Sequence, residues 1–482
     1  MPSAHPGNRL MPVAQYDACI VGGGPAGVVA AIQLARTGHR VCLIERQVFP
    51  RGHVGESFSA GTLRILDSIG CRQLIWEAGS RICKLAYVRW SSPDPERISD
   101  RQRAATVLVD RGCFDVLMIQ AAAQAGVAIL QPASVQHLNR VQNGWRVHCR
   151  SDNATLLIDA RFLIDASGRR HWLSPKRQWA RCGPQTVALY ADFTPPDEYQ
   201  QTVIEAMRQG WCWGAPFPGR FRSMVFIDRT DFPRAASMGL EVFLRERLRE
   251  CELLERISRA TLQNAVFSCD ASIYRARECI GQHWIKIGEA NFTLDPLSSS
   301  GVEKAMQSAL HGASVVHTLL RRPDSEELCT RFYQARVEEV VNTHSRWAGE
   351  SYDSVQRYAQ EPFWLARASR AVSDRATARV PQPVLAGRPL LPSTPVRISD
   401  QVRFHQEPCI VQGEIRAQTA ISHPGLERPV AFLGGIPIGD LLQPAAETRS
   451  LADWTALWAK RVSGDCARQI ADWMVSHQVL MC

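Results

Sequence analysis

Residues 16–47, YDACIVGGGPAGVVAAIQLARTGHRVCLIERQ, constrain the fold more than any other stretch. An apolar run at 17–21 reads as a short buried strand. Gly22, Gly24 and Gly27 follow it as G-x-G-x-x-G, then comes a helical run over 26–37 stopped by Gly38, then a second apolar strand at 41–44 that ends on Glu45. Strand, tight turn, helix and strand at this spacing predict a βαβ unit that binds a dinucleotide. The first glycine makes the turn, the second lets a pyrophosphate approach the backbone, and the third lets the helix pack on the strand. The helix start offers unpaired N–H groups and a positive end to phosphate. Glu45 is placed to accept hydrogen bonds from a ribose.

At 482 residues the chain exceeds one simple core, which predicts two or three domains. The net charge of +9 comes from scattered basic residues with only short runs, Arg169-Arg170 and Arg321-Arg322, so no nucleic-acid footprint stands out. No apolar stretch is long enough to cross a membrane. Residues 1–15 lack the apolar core of a signal peptide, which predicts a disordered leader and a cytoplasmic protein. Fifteen cysteines, an odd number without a C-x-x-C pair, predict free thiols and no metal site.

Beyond Glu45, residues 51–66 form a glycine-containing loop that brings His53 and Glu56 near a ligand and then starts a helix. Both are candidate proton handlers, because a histidine titrates near neutrality and a carboxyl can be tuned there. Residues 83–92 alternate like a strand, with Lys84 at the start. Arg111 opens a helix over the following fifteen residues, where its guanidinium could reach a cofactor. Three short polar strands between 134 and 157 predict a meander. The run RFLIDASGR at 161–169 is a second strand-to-turn junction, ending on Asp165 with Gly168 in the turn. From 186 to 275 the pattern becomes that of an antiparallel sheet with helical cover. A buried strand at 283–288 then runs through Glu289 and the segment DPLSSSG, 295–301, into a helix over 302–319. Pro296 and the serines leave backbone donors free at that helix start. Helices are expected at 327–345 and 352–369, a proline-rich linker at 376–395, and a small domain at 396–482.

Four of these segments, in order, resemble the flavoprotein monooxygenases and flavin-dependent halogenases: the glycine motif through Glu45, the Arg111 helix start, Asp165-Ala166-Ser167-Gly168, and Gly288 to Gly301. The resemblance implies an α/β fold, with a Rossmann-like FAD-binding domain (16–185 and 276–375) interleaved with an antiparallel-sheet substrate domain (186–275). A small α+β C-terminal domain completes it. It implies FAD contacts from Gly22, Gly24, Pro25, Ala26, Gly27, Glu45, Arg46, Arg111, Asp165, Gly168, Glu289, Pro296, Ser299, Ser300 and Gly301. Glu289 stands where the family usually has aspartate. Lys84 falls where halogenases place their lysine, and Trp211-x-Trp213-x-x-Pro216 resembles their W-x-W-x-I-P signature with Ala215 in place of isoleucine. Trp211, Trp213 and Phe217 then line an aromatic substrate cavity. The segment LDPLSSSGVEKAMQSA, 294–309, is most similar to flavoproteins that hydroxylate a tryptophan of a partner polypeptide during tryptophylquinone maturation. That resemblance implies oxygen as co-substrate, a flavin C4a-hydroperoxide, and electrons from NAD(P)H or a separate flavin reductase. Halogenation of an aromatic and reduction of an alkene are the alternatives on this fold.

Overall fold

The computed structural model describes residues 14–99, 106–151, 154–173, 178–196, 199–375, 391–442 and 448–482. Of the leader expected over 1–15, Ala14 and Gln15 belong to the first strand instead, and the rest, with most of the expected linker, lies outside the described residues. The chain folds as two compact units: residues up to 326 with 333–374, and 375–482 with 327–332.

The first unit is built on two sheets. In the first, the strands run Ile280–Gly281, Trp284–Lys286, Ala154–Asp165, Ala14–Val21, Val41–Ile44 and Ala128–Leu130. The last five are parallel. Ala18, Cys19, Ile20, Leu43, Leu163 and Ile164 are fully buried, as expected for parallel strands covered on both faces. The Ala154–Asp165 strand belongs to two ladders. Its first half pairs antiparallel with Gly144–Ser151, which pairs in turn with Ser134–Val141, and its second half pairs parallel with Ala14–Val21. The helices Pro25–Arg36 and Gly301–Arg321 pack on one another, and Arg111–Gln124 also packs on the first of them.

The glycine turn is set by close backbone approach. A Cβ at Gly27 would lie 1.9 Å from the Gly22 carbonyl oxygen, and one at Gly22, where φ is +113°, would lie 2.3 Å from the Ala166 oxygen.

The second sheet has seven strands in the order Phe267–Asp270, Thr186–Phe193, Arg220–Asp228, Gly210–Phe217, Thr202–Met207, Leu85–Arg89 and Glu96–Ser99. Two of its strands come from residues 85–99, so it reaches outside the expected block 186–275. The pairing of Thr202–Met207 with Leu85–Arg89 is parallel, and the other pairings are antiparallel. Alternate residues point to opposite faces. Val187, Leu189, Phe193, Cys212, Phe221, Val225 and Ile227 form a core with Phe243, Leu244 and Leu248 of the Leu240–Arg249 helix. The other face carries the site.

The helix expected over 352–369 is two pieces. Glu326–Asp353 stops short, and a new helix, Pro362–Arg375, begins on a proline. Proline lacks the N–H that a helix interior needs but suits a first helical position. In the second unit Arg403–Val411 and Glu414–Ser422 form a long hairpin. Leu451–Trp458, with a Ser450/Asp453 capping box, and Gly464–Ser476 pack around Trp454, Trp458, Leu441, Ile470 and Met474. Among the described residues no helix is long and apolar enough to cross a membrane.

Replacing Gly27 by alanine forces helix and turn apart. The expected outcome is a loss of about 1–3 kcal/mol, the usual cost of overpacking a close contact. Denaturant unfolding of Gly27→Ala against the parent chain measures it, and an unchanged midpoint would contradict the close approach.

Candidate active site

A cavity of about 750 Å³ opens within the first unit, inside the range of roughly 300–1,000 Å³ that cofactor and small-molecule sites occupy. Gly22, Gly24, Pro25 and Ala26 line one end. The Pro25–Arg36 helix begins there without a side-chain cap, and so does Gly301–Arg321, whose Gly301, Val302 and Ala305 line the same space. Uncapped helix starts leave N–H groups unpaired and carry positive potential, so two of them on one cavity favour an anionic ligand. Glu45 is buried and accepts the N–H groups of Gly23 (2.8 Å) and Gln47 (2.7 Å), which holds its carboxylate at the wall. The glycine cradle, the paired helix starts and the fixed acid fit the pyrophosphate and ribose of FAD.

Along the middle of the cavity Arg111 is buried, grips Asp115 through two bonds (2.9 and 3.0 Å), and donates to the Val54 carbonyl at 3.1 Å. It therefore holds the 51–57 loop at the wall as well as facing the ligand space. Arg51, which sequence reasoning passed over, lies between Glu45 (3.6 Å) and Asp115 (3.7 Å). Arg169 pairs with Glu289 at 3.2 Å across the cavity wall. Burial pushes the Glu289 carboxyl up, but Arg169, with His53 and Arg111 adding, carries it below the usual glutamate range.

The far end is one face of the seven-stranded sheet. The register places Phe267, Tyr190, Met224, Trp213 and Ile204 in one cross-strand row, and Cys269, Ala188, Phe226, Trp211 and Ala206 in the next. All of these except Phe267 and Ala206 line the cavity. Trp211 stacks on Phe226 with ring centres 3.8 Å apart. Asp192 and Arg222 are cross-strand partners on the same face. Arg222 donates to both Asp192 oxygens (2.7 and 2.6 Å) and to Glu56 at 2.9 Å. Glu56 is buried at the cavity wall, and among the described residues its Oε2 has no hydrogen-bond partner. Burial raises its pKa to about 7, because the opposing charge of Arg222 is shared with Asp192. His53 donates from Nδ1 to the Val54 carbonyl at 2.7 Å, leaving Nε2 as an acceptor; its ring is exposed at the cavity mouth, and desolvation by the surrounding wall together with the Arg111 charge holds its pKa below the ordinary imidazole value.

Of the residues singled out from the sequence, Gly22, Gly24, Pro25, Ala26, Glu45, Arg46, His53, Glu56, Arg111, Gly168, Trp211, Trp213, Glu289, Pro296, Ser299 and Gly301 line this cavity. Gly27 sits beneath it as a packing residue. Four others are placed elsewhere. Asp165 is fully buried and accepts from the Ser167 N–H (3.0 Å), the Ser167 hydroxyl (2.6 Å) and the Leu173 N–H (2.9 Å), so it shapes the turn that presents Gly168. The Ser300 hydroxyl turns to Ser298 at 2.7 Å. Phe217 packs under the Arg220 guanidinium, one step beyond the cavity. Lys84 is exposed and lines a separate cavity of about 290 Å³ with Pro216. It falls in the break between the strands Arg81–Cys83 and Leu85–Arg89, where one strand was expected over 83–92, beside Cys83, whose thiol lies 3.0 Å from the Thr202 hydroxyl. Tyr190, Met224 and Phe226 were legible only through cross-strand register. No metal was expected; the described residues do bring Glu205, Cys212 and Cys251 within ligand reach of one another, but Glu205 already takes Arg89 at 2.7 Å and the N–H groups of Glu252 and Leu253.

Residues 15–241 match the family model of an FAD binding domain. A tryptophan 2-halogenase of Chondromyces crocatus is 28% identical, over 72% of this chain and 70% of that protein. Two solved structures share the fold: a peptidyl tryptophan dihydroxylase, QhpG, essential for tryptophylquinone cofactor biogenesis (TM-score 0.73, 24% identity, 96% of this chain and 99% of that one), and the flavin-dependent halogenase CmlS (TM-score 0.78, 20% identity, 98% and 96%).

The raised pKa of Glu56 has a defined sign in stability. Between its ordinary value of 4.5 and about 7 the folded chain keeps a proton that the unfolded chain has lost, so this group's contribution falls as pH rises through that window. Glu56→Gln removes the dependence. Unfolding free energies from pH 4.5 to 8 are expected to show the variant gaining on the parent chain as pH rises, and a parallel pair of curves would contradict the assignment.

Proposed function

We propose that this chain, a flavin-dependent oxidoreductase of the monooxygenase and halogenase superfamily, hydroxylates the indole of a tryptophan carried by a partner polypeptide. The observation that carries this reading is the single cavity in which the glycine cradle and the aromatic sheet face share walls, so that a ring on the face can touch the cofactor. The fold likeness to a peptidyl tryptophan dihydroxylase over nearly the whole chain supports it. When bound and reduced, FAD supplies the activation of oxygen. NAD(P)H or a separate flavin reductase provides its electrons.

The chain's own residues then have three tasks. Trp211, Trp213, Tyr190 and Phe226 hold a flat apolar ring in place and keep water out. Glu56, held by Arg222 in the cavity wall, exchanges a proton near neutrality, as the ring must lose one when oxygen replaces hydrogen. Arg169 and Glu289 orient the middle of the cofactor.

Halogenation is the second reading, favoured by Lys84 in its own small cavity beside Pro216, at the end of the tryptophan-rich strand. One experiment separates the two. Intact mass of candidate partner polypeptides is followed after incubation with FAD, a reductant and labelled oxygen, with and without halide. One or two labelled oxygens on a partner, halide-independent and unaffected by Lys84→Ala, is the expected result. Halogen on a small aromatic, no oxygen on any partner, and loss of activity in Lys84→Ala would overturn it.

A further inference from the structure

The seven-stranded sheet that forms the aromatic wall ends on the Phe267–Asp270 strand, and among the described residues nothing pairs with that strand's outer edge. The Ala271 N–H donates to the Thr186 carbonyl at 2.8 Å. Antiparallel pairs alternate between bonded and non-bonded positions. Phe267 and Cys269 therefore bond to the Thr186–Phe193 strand, while Ser268 and Asp270 turn their N–H and C=O groups outward. The same residues form the cavity rim: Cys269 and Asp270 line it, and Phe267, 47% exposed, stacks on Tyr190 inside it.

We propose that the Phe267–Asp270 edge is the docking strand for the substrate polypeptide, an extended segment of which adds as an eighth strand with its aromatic residue opposite Cys269. This rests on the reading of a polypeptide substrate above. Backbone bonds to Ser268 and Asp270 hold the residues on either side of the aromatic, a mode of binding that is indifferent to their side chains. The aromatic itself then continues the row Cys269, Ala188, Phe226, Trp211 on the cavity face. A slip of one residue would send it to the opposite face. The edge thus selects which residue of the segment reaches the cavity, and a free aromatic acid has no backbone to use it.

The test uses the full FAD-loaded chain and a capped nonapeptide of alternating threonine and valine around one central tryptophan. Binding and oxygen insertion are compared with those of the same peptide N-methylated on both residues flanking the tryptophan. In the protein, Ser268→Pro removes only an outward N–H, which edge strands tolerate, and Ser268→Thr controls for the side chain. Flavin binding and the melting temperature report whether the proline variant keeps its fold; if it does not, the N-methylated peptide on the parent chain gives the same answer. Peptide affinity is expected to fall roughly tenfold with either block, the effect of losing one or two backbone hydrogen bonds, with flavin binding unchanged. A peptide that is bound and oxygenated equally well with and without N-methyl groups would overturn the docking proposal alone. No binding or oxygenation of any peptide, together with turnover of N-acetyltryptophanamide, would overturn the polypeptide reading and this proposal with it.

Discussion

The close approach of Gly27 to the Gly22 carbonyl is the constraint on which the cofactor end depends. It seats the Pro25–Arg36 helix against the end of the Ala14–Val21 strand, so that the helix start faces the cavity. It also leaves Gly22 close enough to Ala166 that the neighbouring strand must turn away at once. Asp165 then stabilises that turn from within, accepting three hydrogen bonds. The Gly288 turn comes against Ala26 from a third strand, where a side chain would meet the Ala26 methyl at 2.8 Å. Three strand ends thus reach the space above one helix start with only backbone between them and a ligand, as pyrophosphate recognition needs.

The other end follows different physics. A pleated sheet offers two faces, and here one is closed by the Leu240–Arg249 helix while the other lines the cavity. The apolar rows stop at Asp192 and Arg222, whose ion pair is close to fully buried. Such a pair is costly to bury, and its geometry has to be good to offset the lost hydration. Arg222 meets that condition with Asp192, while Glu56, whose pKa burial raises, receives only one arm of the guanidinium.

The cofactor end was readable because its chemistry is local. Glycine spacing, an acid after the second strand and serines before a helix each declare a backbone geometry within a few residues. The substrate end draws Tyr190, Ile204, Trp211, Met224 and Phe226 from four strands, and their shared face depends on pairing that no single segment displays. Trp211 and Trp213 stood out as a pair two residues apart. Their cross-strand partners Phe226 and Met224 did not. Lys84 and Phe217 show the opposite failure: Lys84 falls in a break between two strands and lines a separate cavity, and Phe217 lies one step along its strand beyond the main one. An acid at a strand end can face a ligand or its own turn, and both produce the same run of letters; the Asp165 carboxylate faces its turn.

The double allegiance of the Ala154–Asp165 strand bears on how the chain assembles during synthesis. Its antiparallel half finds its partner a few residues upstream and its parallel half finds Ala14–Val21 on one side, whereas the other side of that half waits for Trp284–Lys286, which leaves the ribosome only after the whole block of strands from 186 to 270. Loop closure over that distance is slow and entropically opposed. The meander can therefore form early, while the parallel core keeps an open, apolar edge until residue 286 arrives. Five of the seven strands of the second sheet lie inside the span that this closure encloses, so their folding governs when the first sheet becomes whole and how long a nascent chain stays exposed to aggregation.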